Sequence, residues 1–198
     1  MPKRVDYEER KDQIIEAMFR IIYQHGFEKT TLREIAKEAG LSLGSVQHIF
    51  PKQQDIYIFA MDVIYYRFQQ RMEEAAQADK GGFEYAVGMI KQIVQVNSEE
   101  ERIENDIWLK FSIMATMNPA YQGTKTAFRD VNYNFAKKIL RELSERGFAN
   151  PFNDIEESAR SLTIFMHGLV FESVIYPDLY HDQVIEDEIR KYLKNMSR

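Results

Sequence analysis

Along the first fifty positions the apolar residues recur with the spacing of helical faces. Over residues 7–25, Ile14, Ile15, Met18, Ile21 and Ile22 fall at i, i+1, i+4, i+7 and i+8 with charged residues between them, which predicts an amphipathic helix. Gly26 supplies its stop. Leu32, Ile35, Ala36 and Ala39 form a narrower stripe. Ahead of it Thr31 and Glu34 have the S/T-x-x-E spacing of a capping box, so a short second helix is expected over 31–39. Gly40 stands where a left-handed residue commonly ends a helix. Ser42 stands where a side-chain oxygen caps the next one, predicted from Leu43 to Phe50, and Pro51 is expected to open a fourth helix. In the third helix Val46 and Phe50 lie four apart and anchor it inward, leaving Ser45, Gln47 and His48 outward.

Beyond Pro51 the helical pattern continues to the end of the chain. Residues 56–72 are rich in Ile, Tyr, Phe and Met, a Gly81-Gly82 break follows, and an apolar helical pattern resumes over 83–96. Breaks at Asn118-Pro119, from Gly147 through Pro151, and at Tyr176-Pro177-Asp178 predict further helices at 102–117, 120–146, 154–176 and 182–196. No segment alternates as a strand does. The expected fold is all-α, with a three-helix head over residues 1–52 followed by a larger helical domain over residues 53–198.

Chemistry enters at Gly40-Leu41-Ser42-Leu43-Gly44, which fits the G-x-S-x-G turn of a hydrolase nucleophile. That turn follows a buried strand, whereas the residues before Gly40 read EIAKEA, which are helix formers. Ser42 is therefore read as a cap. No phosphate-binding G-x-x-x-x-G-K-[ST] and no H-E-x-x-H zinc helix occurs, and four scattered histidines without cysteine make a poor metal set. No catalytic residue, metal or cofactor is assigned, and the protein is not expected to be an enzyme. The longest nearly apolar run, 162–171, falls short of the roughly 20 residues a membrane helix needs. The start of the chain lacks the apolar core of a secretory signal, so a soluble cytoplasmic protein is expected, with no membrane partner.

Two short helices joined by a Gly turn, the second opened by a Ser cap, form a helix-turn-helix unit whose second helix can enter a major groove. Net charge is −5, but residues 1–52 hold nine Lys/Arg against eight Asp/Glu while the remainder holds seventeen against twenty-three. The head is near neutral and the body acidic, so charge permits DNA binding only if the head's cations share a face. With helix three in the groove, Gln47 can pair with the N6/N7 edge of adenine and Ser45 can reach a base or a phosphate. Thr31, Arg33, His48 and Lys52 are placed to hold phosphates and set the register. So small a head gains affinity by pairing on a palindromic double-stranded operator. Residues 162–176, apolar on nearly every side, point to a homodimer through the last two helices.

The stretch from Gly26-Phe27 through Thr30-Thr31-Leu32-Arg33-Glu34-Ile35-Ala36-Lys37-Glu38-Ala39-Gly40, Ser42, Gly44-Ser45-Val46 and Phe50-Pro51 resembles the DNA-binding domain of the TetR family of bacterial transcription regulators. Farther on, Phe165-Met166-His167-Gly168-Leu169-Val170 with Pro177 is weakly similar to the choline-response, BetI-like branch, where an Asp often stands at the place of His167. The resemblance implies a homodimeric repressor whose larger domain binds a small-molecule effector and so releases the operator. At Gln47 the family often has Tyr and at Gln53 often Lys, both typically facing the DNA backbone, and Lys52 next door can take over the lysine's role. For the effector, Trp108, Phe111, Met114, Met117, Tyr121, Phe128, Phe165 and Phe171 supply apolar walls, with Glu104, Asp106 or His167 as polar groups. The rival reading is a helical interaction or scaffold protein without DNA binding, which has no need to keep Ser45, Gln47 and His48 outward.

Overall fold

The isoleucine stripe of the first segment forms one long helix, α1 (Pro2–His25), with Ile14, Ile15, Met18, Ile21 and Ile22 all buried. The computed structural model describes residues 2–26, 30–78, 82–94, 96–148 and 154–196, the side chains of 2–6, 8 and 78 excepted. Phe27, Gly81, Ala149, Asn150, Pro151 and the expected match or breaks at them lie outside the described residues. Among those described, every regular element is a helix. After α1 come α2 (Leu32–Glu38), α3 (Leu43–Ile49), α4 (Gln53–Ala78), α5 (Phe83–Val94), α6 (Glu99–Met117), α7 (Gln122–Glu145), α8 (Ile155–Ile175) and α9 (Asp182–Met196). None of these helices is long and apolar enough to cross a membrane.

Helix starts follow local capping chemistry more than the apolar pattern. α6 begins at Glu99, ahead of the start near 102 that the breaks predict, with the Glu99-Glu100-Glu101 run as its first turn, where acids suit a helix start. The Glu101 N–H donates to Ser98 Oγ at 3.1 Å, and the Glu101 carboxylate accepts from the Asn97 and Ser98 N–H groups. α4 begins at Gln53 and not at Pro51, because the Lys52 N–H donates to Asp55 Oδ2 at 2.9 Å and makes residue 52 the capping position. A 3-10 turn at Pro119–Tyr121 precedes α7, capped by Asn118. Asp154 caps α8 by accepting from the Glu156 and Glu157 N–H groups.

The chain divides into two compact units. The first holds residues through Ile64 together with Ile107–Gln122, and its core is built from the α1 stripe, Ile35, Ala36, Val46, Phe50, Ile56 and Met61. The second holds Tyr65–Asp106 and residues from Gly123 onward. Its core joins Ile90 of α5, Ile139, Leu140 and Leu143 of α7, Leu162 and Met166 of α8, and Ile185, Ile189 and Leu193 of α9.

Two charge clusters brace the second unit. Glu104 of α6, only 4% exposed, receives Arg67 at 3.1 Å and Arg71 at 3.0 Å, two α4 residues one turn apart. A carboxylate buried so deeply is tolerable because each oxygen is paired. Between α5 and α9, Lys91 binds Asp182 and Glu186, while Arg190 grips Glu84 through two bonds of 2.7 Å. The hydrogen bond from Arg190 holds the Glu84 carboxyl below its ordinary range, and bonds from Lys91 and Arg190 do the same for Glu186.

Among the described residues, nothing covers one face of α8. Ile164 is 67% exposed, Phe171 45% and Ile175 46%, and Gly168 is exposed between them. Their spacing of four, three and four residues is one continuous stripe on a helix.

Candidate nucleic-acid interface

Short-range bonds hold the helix-turn-helix at its two helix starts and its turn. Thr31 Oγ1 accepts the Glu34 N–H at 3.2 Å while the Glu34 carboxylate accepts the Thr31 N–H at 3.3 Å, so the expected capping box is complete. Gly40 takes φ +67°, a conformation in which a side chain would be strained, and this lets the Leu41 N–H return to the Ala36 carbonyl at 2.9 Å. The chain then reverses into α3, where the Ser45 N–H donates to Ser42 Oγ at 3.0 Å. Ser42 is a cap with a helix, α2, before it. The strand that a nucleophile turn requires is replaced by α2.

The turn presents α3 with one face in and one face out. Val46 is fully buried and Phe50, its C-terminal cap, nearly so. At about 100° per residue, Gln47, Gly44, His48 and Ser45 sweep an arc of roughly 160° centred opposite Val46. Gln47, Gly44 and His48 are exposed, and Ser45 is half-buried with its hydroxyl 2.8 Å from that of Ser42. Thr31, Arg33 and Lys52 are exposed as well. The six residues singled out from the sequence for DNA thus stand at the solvent surface of one compact unit, Ser45 alone partly withdrawn.

Gln53 turns inward. Its amide donates to the Thr30 carbonyl and to the Tyr57 hydroxyl, and the Tyr57 hydroxyl itself donates to the same carbonyl at 3.1 Å. Thr30 is fully buried, and burial raises the Tyr57 phenol above its ordinary range, so this hydroxyl stays a neutral donor. Gln53 therefore secures the start of α4 to the residue ahead of the α2 cap, and Lys52 is the exposed cation at this turn.

Two residues escaped the sequence reading. Tyr7 and Arg10 of α1 border an open groove of about 500 Å³ whose other wall is α3, with Ser45, His48 and Ile49. The periodicity of α1 marks its core stripe, and nothing in it signals that the opposite side meets α3.

The residues expected around an effector are divided between the units. In the first, Phe111 and Tyr121 are buried against each other with ring centroids 5.2 Å apart, Trp108 and Met114 are half-buried, and Met117 is exposed. In the second, Phe128 meets Tyr65 at 5.8 Å and Phe165 stacks on Tyr192 at 3.9 Å. There His167 is 3.0 Å from Asn132 through Nε2, and burial lowers its pKa, so the imidazole is neutral at pH 7. Phe171 lies on the uncovered stripe of α8, Asp106 is half-buried, and Glu104 is taken up by its two arginines.

Residues 14–58 match the family described as bacterial regulatory proteins, tetR family. The chain is 28% identical over 196 residues to the HTH-type transcriptional regulator PksA of Bacillus subtilis strain 168, spanning 99% of this chain and 94% of that protein. It is 31% identical over 114 residues to the HTH-type transcriptional regulator BetI of Stenotrophomonas maltophilia, 56% of this chain and 57% of that relative. Among solved structures, a transcriptional regulator from Saccharomonospora viridis in complex with choline shares the fold with a TM-score of 0.77 at 21% identity, covering 95% of each chain.

Proposed function

Because the chain belongs to the TetR family of bacterial transcriptional regulators, a family of ligand-responsive DNA-binding proteins, we propose how its parts divide that work. Residues 1–52 are the operator-reading head, and residues 53–198 bind the effector and the second subunit. The observation that carries the reading is the capped α2, the left-handed Gly40 and the α3 arc with Gln47 and His48 outward and Val46 inward. Gln47 reads a base edge, with Ser45 beside it, while Thr31, Arg33, His48 and Lys52 hold phosphates.

The second subunit covers the Ile164, Gly168, Phe171 and Ile175 stripe of α8, beside α9. Burying what is still exposed of three large apolar side chains, about half of each, stabilises association by roughly 1 kcal/mol each, before the cost of joining two bodies. Two heads then meet a palindrome whose half-sites lie about one helical turn, or a multiple, apart. A small-molecule effector bound by the larger domain releases the operator, so the protein represses until the effector arrives. A neighbour in fold that binds choline supports an effector of small-molecule size.

The test is titration of duplex DNA at rising KCl together with light scattering of the free protein. The expected result is a dimer whose duplex binding weakens steeply with salt. A monomer, or a protein that binds no duplex at low salt, favours the scaffold reading instead.

A further inference from the structure

Thr30 is fully buried where one helix ends and two begin. Its hydroxyl donates at 3.2 Å to the carbonyl of Gly26, just past the end of α1. Its carbonyl, one residue ahead of the α2 cap, accepts from the Gln53 amide and, at 3.1 Å, from the Tyr57 hydroxyl, both on α4. The chemistry of these groups closes on itself. A carbonyl has two lone pairs, a primary amide two N–H donors, and a phenol both a donor and an acceptor. Gln53 can therefore serve the Thr30 carbonyl and the Tyr57 oxygen together while Tyr57 gives its own proton to the same carbonyl. Tyr57 is only 6% exposed, so water competes little for these bonds, and losing one weakens a buried network.

An exposed cation stands on each side of this latch, Arg33 in the first turn of α2 and Lys52 immediately before α4. Neither side chain enters an ion pair among the described residues. The carboxylates nearest to them in sequence are occupied as caps. Glu34 accepts the Thr31 N–H and hydroxyl, and Asp55 accepts the Lys52 N–H. The two cations thus leave from helix starts that are far apart in the chain, and the Thr30 to Gln53 bond joins those starts directly.

We propose that Gln53, backed by Tyr57, is a positioning residue for DNA binding: it locks the start of α2 to the start of α4, so that Arg33 and Lys52 meet one sugar-phosphate backbone as a fixed pair. The proposal rests on the reading that these two cations hold phosphates. Gln53 touches no DNA in this role. Cations held at a set spacing lose less freedom on binding than cations on helix starts that shift independently, so the latch raises affinity without adding a contact. Phosphates are alike at every step, so the gain is the same on any duplex sequence.

The test is a double-mutant cycle on the full-length protein. Anisotropy of labelled operator and scrambled duplexes is measured across a range of KCl concentrations for wild type, Gln53→Ala, Tyr57→Phe, Lys52→Ala and the Lys52→Ala/Gln53→Ala double variant. Each phosphate neutralised contributes about 0.9 to the slope of log K against log salt, so Lys52→Ala lowers the slope of a dimer by roughly 2. Gln53→Ala removes no charge, yet it weakens binding to both duplexes about 3- to 10-fold with the ratio between them constant. Tyr57→Phe, which keeps the ring in the core, does the same more mildly. The double variant binds within about twofold of Lys52→Ala, because a single remaining cation has no spacing to keep. A merely structural role gives losses that multiply. Multiplied losses, wild-type affinity in both Gln53→Ala and Tyr57→Phe, or a loss confined to the operator overturn the proposal. If Lys52→Ala lowers the slope while Gln53→Ala binds as wild type does, the latch fails and the phosphate reading stands. If Lys52→Ala leaves the slope unchanged, the phosphate reading fails and the latch falls with it.

Discussion

The helix-turn-helix and the second unit are both helical, yet they are specified by different means. In the former two seven-residue helices are too short to stand on propensity, and each is held by a side-chain cap, a left-handed glycine and a buried anchor within a few residues of one another. In the latter α5, α7, α8 and α9 run twelve to twenty-four residues, and side chains far apart in sequence hold them: Lys91 with Asp182, Arg190 with Glu84, Phe165 with Tyr192. The geometry of the head is therefore set by residues close together in sequence. The second unit, joined by apolar stripes and exchangeable ion pairs, has the kind of packing that a ligand or a second subunit can shift.

The largest expected effect breaks the contrast from the side of the second unit. Ile164→Glu combined with Phe171→Glu places two charges on the uncovered stripe of α8. Light scattering then reports a monomer, and operator affinity falls about 100-fold or more because two linked heads become one. A dimer retained by this variant contradicts the assignment of the interface. Next in size, Gln47→Ala costs roughly 1–3 kcal/mol on the cognate operator and leaves scrambled duplex binding unchanged, as competition binding reports. Removing a local restraint from the head is milder. Thr31→Ala loses the acceptor of the capping box and lowers unfolding stability by about 1 kcal/mol in urea titration. Smallest is the pH response of the α5 and α9 cluster. Glu84 and Glu186 have folded pKa values below their ordinary ones, so their contribution is present above about pH 4.5 and is lost as pH falls through the depressed values. The thermal midpoint falls on acidification from pH 6 to 3, and the fall is shallower in Arg190→Gln.

The same contrast explains what could be read from the chain. Thr31 with Glu34, Gly40 and Ser42 were legible because a cap or a turn is chemistry between residues two to four apart. Pro51 does not open α4, because the Lys52 and Asp55 bond sets its start two residues later. The inward turn of Gln53 was hidden because its acceptor, the Thr30 carbonyl, lies 23 residues back. That Tyr7 and Arg10 share a groove with α3 was invisible for the same reason, since α3 meets them only after the head has folded. The effector residues were the least legible. Phe111 with Tyr121 and Phe165 with Tyr192 show how aromatic residues at helical spacing make core contacts and wall candidates with one and the same pattern.

The central claim is that two copies of the head present α3 to successive grooves of one duplex. Selection of protein-bound fragments from a random duplex pool, followed by sequencing, tests it most directly. The expected result is a shared sequence with two-fold symmetry and half-site centres about 10 base pairs, or a multiple of that, apart. Enrichment of a single asymmetric site, or of no common sequence, would contradict it.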